Sequence, residues 1–248
     1  MVSLVPQVIA ALALSASHLP APQLHPPFAV GETLEFSGSK RLLISIRANH
    51  AFTFTVAAID TIDGTPYWRF TLNTTISVPL YHDHSTQTSW TRVSDFVSHR
   101  YVHNADQTGW SRHDDFRIYP DSGFYRNMRD NQTQRTPEKP IDDVAFFYFL
   151  RLPSVPLEVG KTYQYTNYFK ADRNPVTVTV LRHELCDLPD NVRAQCLVLH
   201  PVVEDPPHGL FMKDNEALIW LTDDGRRLPA KVKSGGYTLT LQKIIEPR

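Results

Sequence analysis

A chain of 248 residues, 42% apolar and 11% aromatic, can bury a sizeable core as one large β domain or two small ones. Its formal net charge of −1 lacks the basic excess of a nucleic-acid or anionic-membrane surface, which argues against both partners. Nineteen prolines and ten glycines fit many short elements joined by turns.

Residues 1–27 stand apart from the rest. An apolar run over 8–14 is followed by Ser15, Ala16 and Ser17 and then by the proline-rich HLPAPQLHPP. This is the order of a secretory signal peptide with an extended linker behind it, although no Lys or Arg precedes the run. The expectation is export to the periplasm or cell envelope, with a single β-rich domain over 28–248. No later apolar run approaches the ~20 residues that span a bilayer, so no transmembrane segment is expected.

Residues 28–36 (FAVGETLEF) read as the entry strand. Leu42, Ile44 and Ile46 alternate with Arg41, Ser45 and Arg47, and Phe52, Phe54, Val56 and Ala58 with Thr53, Thr55 and Ala57. Asp63-Gly64 is a hairpin turn leading to Trp68, Phe70 and Leu72. Period-two alternation with β-branched and aromatic enrichment makes these amphipathic strands. Residues 81–127 are more polar, with short strands predicted around 90–96, 99–103 and 111–118. Residues 127–139 carry almost no apolar side chain and read as a mobile loop.

Residues 140–151 (PIDDVAFFYFLR) break the pattern. Pro140 suits a helix start, Asp142 and Asp143 favour the positive end of a helix dipole, and Pro153 stops it. The segment is apolar all round, so a helix here must be buried or cap a cavity, and a buried strand is the competing reading. Strand-like runs follow at 163–169, 176–185 and 192–200. The closing stretch 209–241 reads as a meander, with Asp224-Gly225 and Gly235-Gly236 as two tight turns. Within it, 217–221 is apolar on both faces and should lie deepest.

Cys186 and Cys196 lie within CDLPDNVRAQC. A hairpin folded about residue 191 sets them directly opposite, where Cβ atoms are ~4.5–5.5 Å apart and within reach of a disulfide. An oxidising compartment would favour that bond. No internal repeat is visible. The fold class is therefore all-β with minor α: a single large antiparallel curved sheet of about ten or more strands, as a barrel, half-barrel or sandwich, with one short apolar helix near 140–151.

Three stretches carry a family resemblance: FAVGETLEF at 28–36, PIDDVAFFYFLRLPSVPLEVGKTYQYTNYFKADRNPVTVTVL at 140–181, and GLFMKDNEALIWLTDDGRRLPAKV at 209–232. With their spacing, the chain resembles the exported bacterial proteins of domain of unknown function 3108 over 28–245. The resemblance implies an exported, β-rich envelope protein. It brings no established activity, so no functional residue carries over from it.

The residues themselves offer few catalytic constellations. No nucleophile elbow, phosphate-binding loop, dinucleotide fingerprint or zinc-protease helix is present, and no cofactor is expected. His82 and His84 share one strand face, as a metal site would require, but a polar sheet edge explains them as well. Asp223 and Asp224 form a carboxylate pair that is more commonly hairpin chemistry. The remaining candidate is apolar: Trp68, Phe70, Phe146, Phe147, Phe149 and Trp220, lining a cavity between curved sheet and helix, with an ordinary packed core as the bland alternative. The leading expectation is a non-enzymatic envelope protein binding an apolar small molecule, lipid or lipoprotein. The alternatives are an envelope hydrolase or metal-dependent enzyme at His82/His84, and a structural protein that adds a partner's strand to its sheet edge.

Overall fold

Side-chain alternation at period two carries most of the described residues into extended strands, and one apolar segment interrupts them. The computed structural model describes residues 25–41, 45–78, 81–203, 217–234 and 237–247. Of the expected leader and linker at 1–27, residues 1–24 therefore lie outside the described residues, as do Leu42, Ile44, Gly235 and Gly236. The first half of the chain forms β1 (Thr33–Arg41), β2 (Ser45–Ile62), β3 (Thr65–Val78), β4 (Tyr81–Arg92), β5 (Ser98–Gln107), β6 (Trp110–Tyr119), β7 (Phe124–Asn127) and β8 (Thr133–Arg135). After the helix α1 (Asp143–Phe149) come β9 (Thr162–Tyr165), β10 (Val176–Asp187), β11 (Arg193–Val203), β12 (Leu218–Thr222), β13 (Pro229–Ser234) and β14 (Tyr237–Ile245).

All fourteen strands belong to one antiparallel sheet in the order β8-β7-β6-β5-β4-β3-β2-β1-β14-β13-β12-β11-β10-β9. Each half is a simple meander. The halves are joined where the first strand pairs with the last, Thr33 opposite Ile245 through Lys40 opposite Tyr237. Register shifts at Glu35/Phe36, Val56/Ala58, Trp90/Thr91 and Val180/Arg182 add the bends that curl such a sheet. It stays unclosed, with β8 and β9 as its free edges. Those edges are only 3 and 4 residues long, which limits edge-to-edge pairing.

The chain crosses from one free edge to the other through α1, which fills one end of the concave face. Val144 to Tyr148 are all buried. The Tyr148 ring stacks on Phe70 at 4.0 Å, and Phe147 lies 5.0 Å from Phe54. The helix is shorter than the expected 140–151. Ile141 is held extended by a parallel bridge to Tyr168, its N–H donating to Asn167 O (2.7 Å) while its carbonyl accepts from Phe169 N–H (3.0 Å). Asp142 is the N-cap rather than a first-turn residue, its Oδ1 accepting from Val144 and Ala145 N–H at 3.0 Å each.

Just past the helix, Arg151 ties the three family-like stretches together. Its guanidinium donates to Glu32 at 2.6 and 3.0 Å, with both side chains at 2% exposure or less. Arg226 approaches Glu32 at 3.6 Å and pairs with Glu246 at 2.8 Å. Arg227 donates to the Leu152 and Val155 carbonyls at 2.8 and 2.7 Å, satisfying the backbone of the turn after α1. The Asp224-Gly225 turn consequently differs from the expected two-residue form. It is a longer loop in which Asp224 Oδ1 accepts from the Arg226 and Arg227 N–H groups, and Arg227 takes the positive φ of 46°. The Asp63-Gly64 turn does have the two-residue form, with φ of 49° and 77° between paired Ile62 and Thr65.

The polar stretch 81–127 is more regular than its composition suggests. It forms the long strands β4, β5 and β6 in place of short fragments, and the expected loop at 127–139 contains β8. Thr136 beside β8 is buried and donates its hydroxyl to Phe169 O at 2.7 Å.

Cys186 and Cys196 form a disulfide. They are diagonal neighbours, because the hairpin is centred on residue 190: Asp187 pairs with Arg193, Cys186 with Ala194 and Glu184 with Cys196. Asp190 and Asn191 both adopt positive φ, which lets the chain reverse one residue earlier than expected. The bond packs against Val198, Trp220 and Ala230 in a small cluster separate from the main core. Closing a sequence separation of 10 is worth roughly 2–3 kcal/mol on chain-entropy grounds. Reduction is therefore expected to lower the melting temperature by about 4–12 °C with the fold retained, at ~2–4 °C per kcal/mol. Two alkylatable thiols in the folded protein before reduction would refute the bond.

Candidate functional site

The inner face of the sheet is packed by α1 at one end and hollow at the other. Pairing of Asp83 with Gln107, and of Gln107 with Trp110, continues the inner face across β4, β5 and β6. Asp83, Ser85 and Gln87 thus point inward from β4, His103 and Gln107 from β5, and Arg112 and Phe116 from β6. The facing wall carries Phe52, Leu72, Val232, Tyr237 and Leu239 from β2, β3, β13 and β14. Together with Tyr101, Asp143 and Lys170 at the floor, they enclose a cavity of about 730 Å³.

One wall of this cavity is apolar and the other is wired by hydrogen bonds. Asp83 accepts from Ser85 Oγ at 2.5 Å and Gln107 Nε2 at 2.9 Å. The Tyr101 hydroxyl donates to Gln87 Oε1 at 2.7 Å, and the Tyr168 hydroxyl donates to Asp143 Oδ1 at 2.9 Å. Asp114, with no exposed surface, gathers Arg112, Arg129 (3.3 Å) and Asn127 (3.0 Å) around one carboxylate. Burial holds the His103 imidazole below its usual range, so it stays neutral near pH 7, with nearby Asp143 opposing the shift and Arg112 adding to it. Burial likewise lowers the Lys170 ammonium against the pull of Asp143. A second cavity of about 270 Å³ adjoins the first and shares Arg112, Phe116, Arg129 and Lys170 with it.

The residues singled out from the sequence are distributed differently. Trp68, Phe70, Phe146 and Phe147 are buried in the main core, and Phe149 is half-buried against it, all at the end filled by α1. Trp220 belongs to the disulfide cluster instead, with Lys231 Nζ 4.6 Å from its ring. None of the six is among the residues that enclose the hollow end. That surface was missed because its inward residues are polar on β4 to β6, so the inner and outer faces look alike in composition. The available signal was the i, i+2 series Asp83-Ser85-Gln87 running beside His103 and Gln107.

His82 and His84 stand with ring centroids 5.9 Å apart, and His82 Nε2 lies 3.6 Å from Asp106 Oδ1. Among the described residues, no group of three His, Cys, Asp or Glu side chains converges as a metal site. Asp224 serves its loop, and Asp223 pairs with His183 at 2.9 Å on the outer surface. No helix among the described residues is long and apolar enough to cross a membrane.

Among solved structures, the chain is similar to a β-barrel-like protein of domain of unknown function DUF1849 from Brucella abortus. The two share 11% identity at a TM-score of 0.52, covering 89% of this chain and 99% of the other. At that identity the likeness concerns the fold alone. No curated protein matches the chain. The model of the family described as "Protein of unknown function (DUF3108)" matches residues 41–242, from the last residue of β1 into β14 with the helix between them, and the chain therefore belongs to that family.

Proposed function

We propose that this is an exported, non-enzymatic envelope protein that holds an apolar ligand, a lipid or the lipid of a lipidated protein in the hollow end of its curved sheet. The observation that carries the reading is the 730 Å³ cavity with its wall of Phe52, Leu72, Val232 and Leu239. Its size falls within the ~300–1,000 Å³ of small-molecule sites. An apolar wall of this kind is costly to leave facing water unless something covers it. The disulfide supports export, because such bonds persist in oxidising compartments.

Native mass spectrometry of the full chain purified from its own host tests the proposal. A co-purifying small mass is expected, and Leu239→Trp, which fills the apolar wall, should reduce its occupancy at least about tenfold. Protein that carries no such mass and binds no added twelve-carbon alkyl probe would refute it.

A further inference from the structure

The ligand's polar end has its own receiving surface. The two cavities meet at Arg112, Phe116, Arg129 and Lys170, so three of their four shared residues are cations. Arg112 and Arg129 both pair with the buried Asp114, and Arg129 also lies 3.9 Å from Asp130, so the two arginines are met by carboxylates while Lys170 is not. The Lys170 ammonium makes no hydrogen bond or ion pair among the described residues, its backbone carbonyl alone accepting from Arg173 N–H at 3.0 Å. Its Nζ lies over the faces of Phe116 and Phe169, 4.9 and 5.1 Å from their centroids. An ammonium held against two rings without an acceptor is poorly solvated, and a guest anion would relieve it.

The carboxylates nearby are already served by neutral donors. Asp83 accepts from Ser85 and Gln107, and Asp143 accepts from Tyr168. The smaller cavity adds Arg173 to the three shared cations, against Asp130 and Asp172. What the Lys170 ammonium lacks among the described residues is an anionic group within hydrogen-bond reach. A carboxylate or phosphate ester supplies that group, and its charge-assisted hydrogen bonds are strong in a site of low dielectric.

We infer that the ligand is an anionic amphiphile, with its acidic group between Lys170 and the Arg112/Arg129 pair and its hydrocarbon against Leu72, Val232 and Leu239. This rests on the reading of the cavity as a ligand site. A neutral amphiphile would gain only the apolar burial. A cationic one would place its charge beside the Lys170 ammonium and be repelled there.

The test measures binding of dodecanoate, dodecyl phosphate, dodecanol, dodecyltrimethylammonium and inorganic phosphate to the full chain after delipidation. At least one of the two anionic amphiphiles should bind about tenfold or more tighter than dodecanol, the scale of one charge-assisted hydrogen bond. The stronger of the two identifies a carboxylate or a phosphate source. Lys170→Met should narrow that gap to about threefold or less by weakening the anionic probes, and Lys170→Arg should restore it. Dodecanol binding as well as the anions, or dodecyltrimethylammonium binding better, would overturn the inference while leaving an apolar site standing. A gap unchanged in Lys170→Met would overturn the placement of the acidic group. Inorganic phosphate binding as tightly as dodecyl phosphate would mean a bare anion site and overturn it too. Failure of every alkyl probe would overturn the cavity reading itself, and this inference with it.

Discussion

Arg151→Met is expected to destabilise the protein by ~3–5 kcal/mol, because it strands the Glu32 carboxylate in the core without its main partner. Glu32 is 2% exposed, and both of its oxygens receive Arg151 nitrogens, at 2.6 and 3.0 Å. Arg226, 3.6 Å away and partly exposed, offers incomplete compensation, which favours the lower end of that range. At ~2–4 °C per kcal/mol the melting temperature should fall by about 6–20 °C. The double substitution Glu32→Met/Arg151→Met removes both charges and should recover most of the loss, since matched apolar replacements of buried pairs are often neutral. Circular-dichroism melts of the three variants decide it. A single mutant melting within about 2 °C of the parent would show that the pair does not anchor the crossing segment.

The cap of α1 should make stability fall as pH rises from about 4 to about 6, through one carboxyl. Asp142 has no exposed surface, and burial pushes its carboxyl up from an ordinary 3.8 to about 6. The N–H groups of Val144 and Ala145 and the hydroxyls of Ser89 and Ser98 oppose that rise and only partly offset it. The folded state then holds the proton more tightly than the unfolded chain does, so ionisation favours unfolding. The stability Asp142 provides is complete below pH ~4 and is lost as pH rises through about 6. A rise of this size corresponds to ~3 kcal/mol. Carboxylates paired with arginine, such as Asp95 with Arg92, are lowered instead and act in the opposite direction, so the effect must be isolated by difference. Asp142→Asn keeps an oxygen for the Val144 and Ala145 N–H groups and cannot ionise. Its stability relative to the parent should rise by ~3 kcal/mol between pH 4 and pH 7. A constant difference across that range would show that the four donors hold Asp142 at an ordinary carboxyl value.

The strands of the first half were legible because Phe54, Val56, Phe70 and Leu72 alternate with polar neighbours, and one buried face imposes that period. Ala217–Leu221 was legible for the opposite reason. Ile219 and Leu221 face the main core while Trp220 faces the disulfide cluster, so both faces are apolar. The apolar helix was legible as a buried one because apolar side chains lie all round it, and Val144 to Tyr148 are all buried. Less legible were β4 to β6, where a polar inner face removed the contrast on which strand assignment depends.

Local pattern alone thus determined that this is a β-rich chain with one buried apolar segment at 140–151 and two cysteines on one hairpin, since strand period, turn residues and apolar runs act over a few neighbouring residues. Only the tertiary structure decided which end of the concave face is filled and which is hollow. That depends on where α1 lands after crossing between the free edges, a placement set by Glu32, Arg151 and Arg227 meeting from distant parts of the sequence. It likewise decided that the aromatic residues of β3 and α1 form packed core, while Arg112, Arg129 and Lys170, which share no sequence pattern, face one cavity. Pairing between remote strands brings those groups together, and no periodicity along the chain records it.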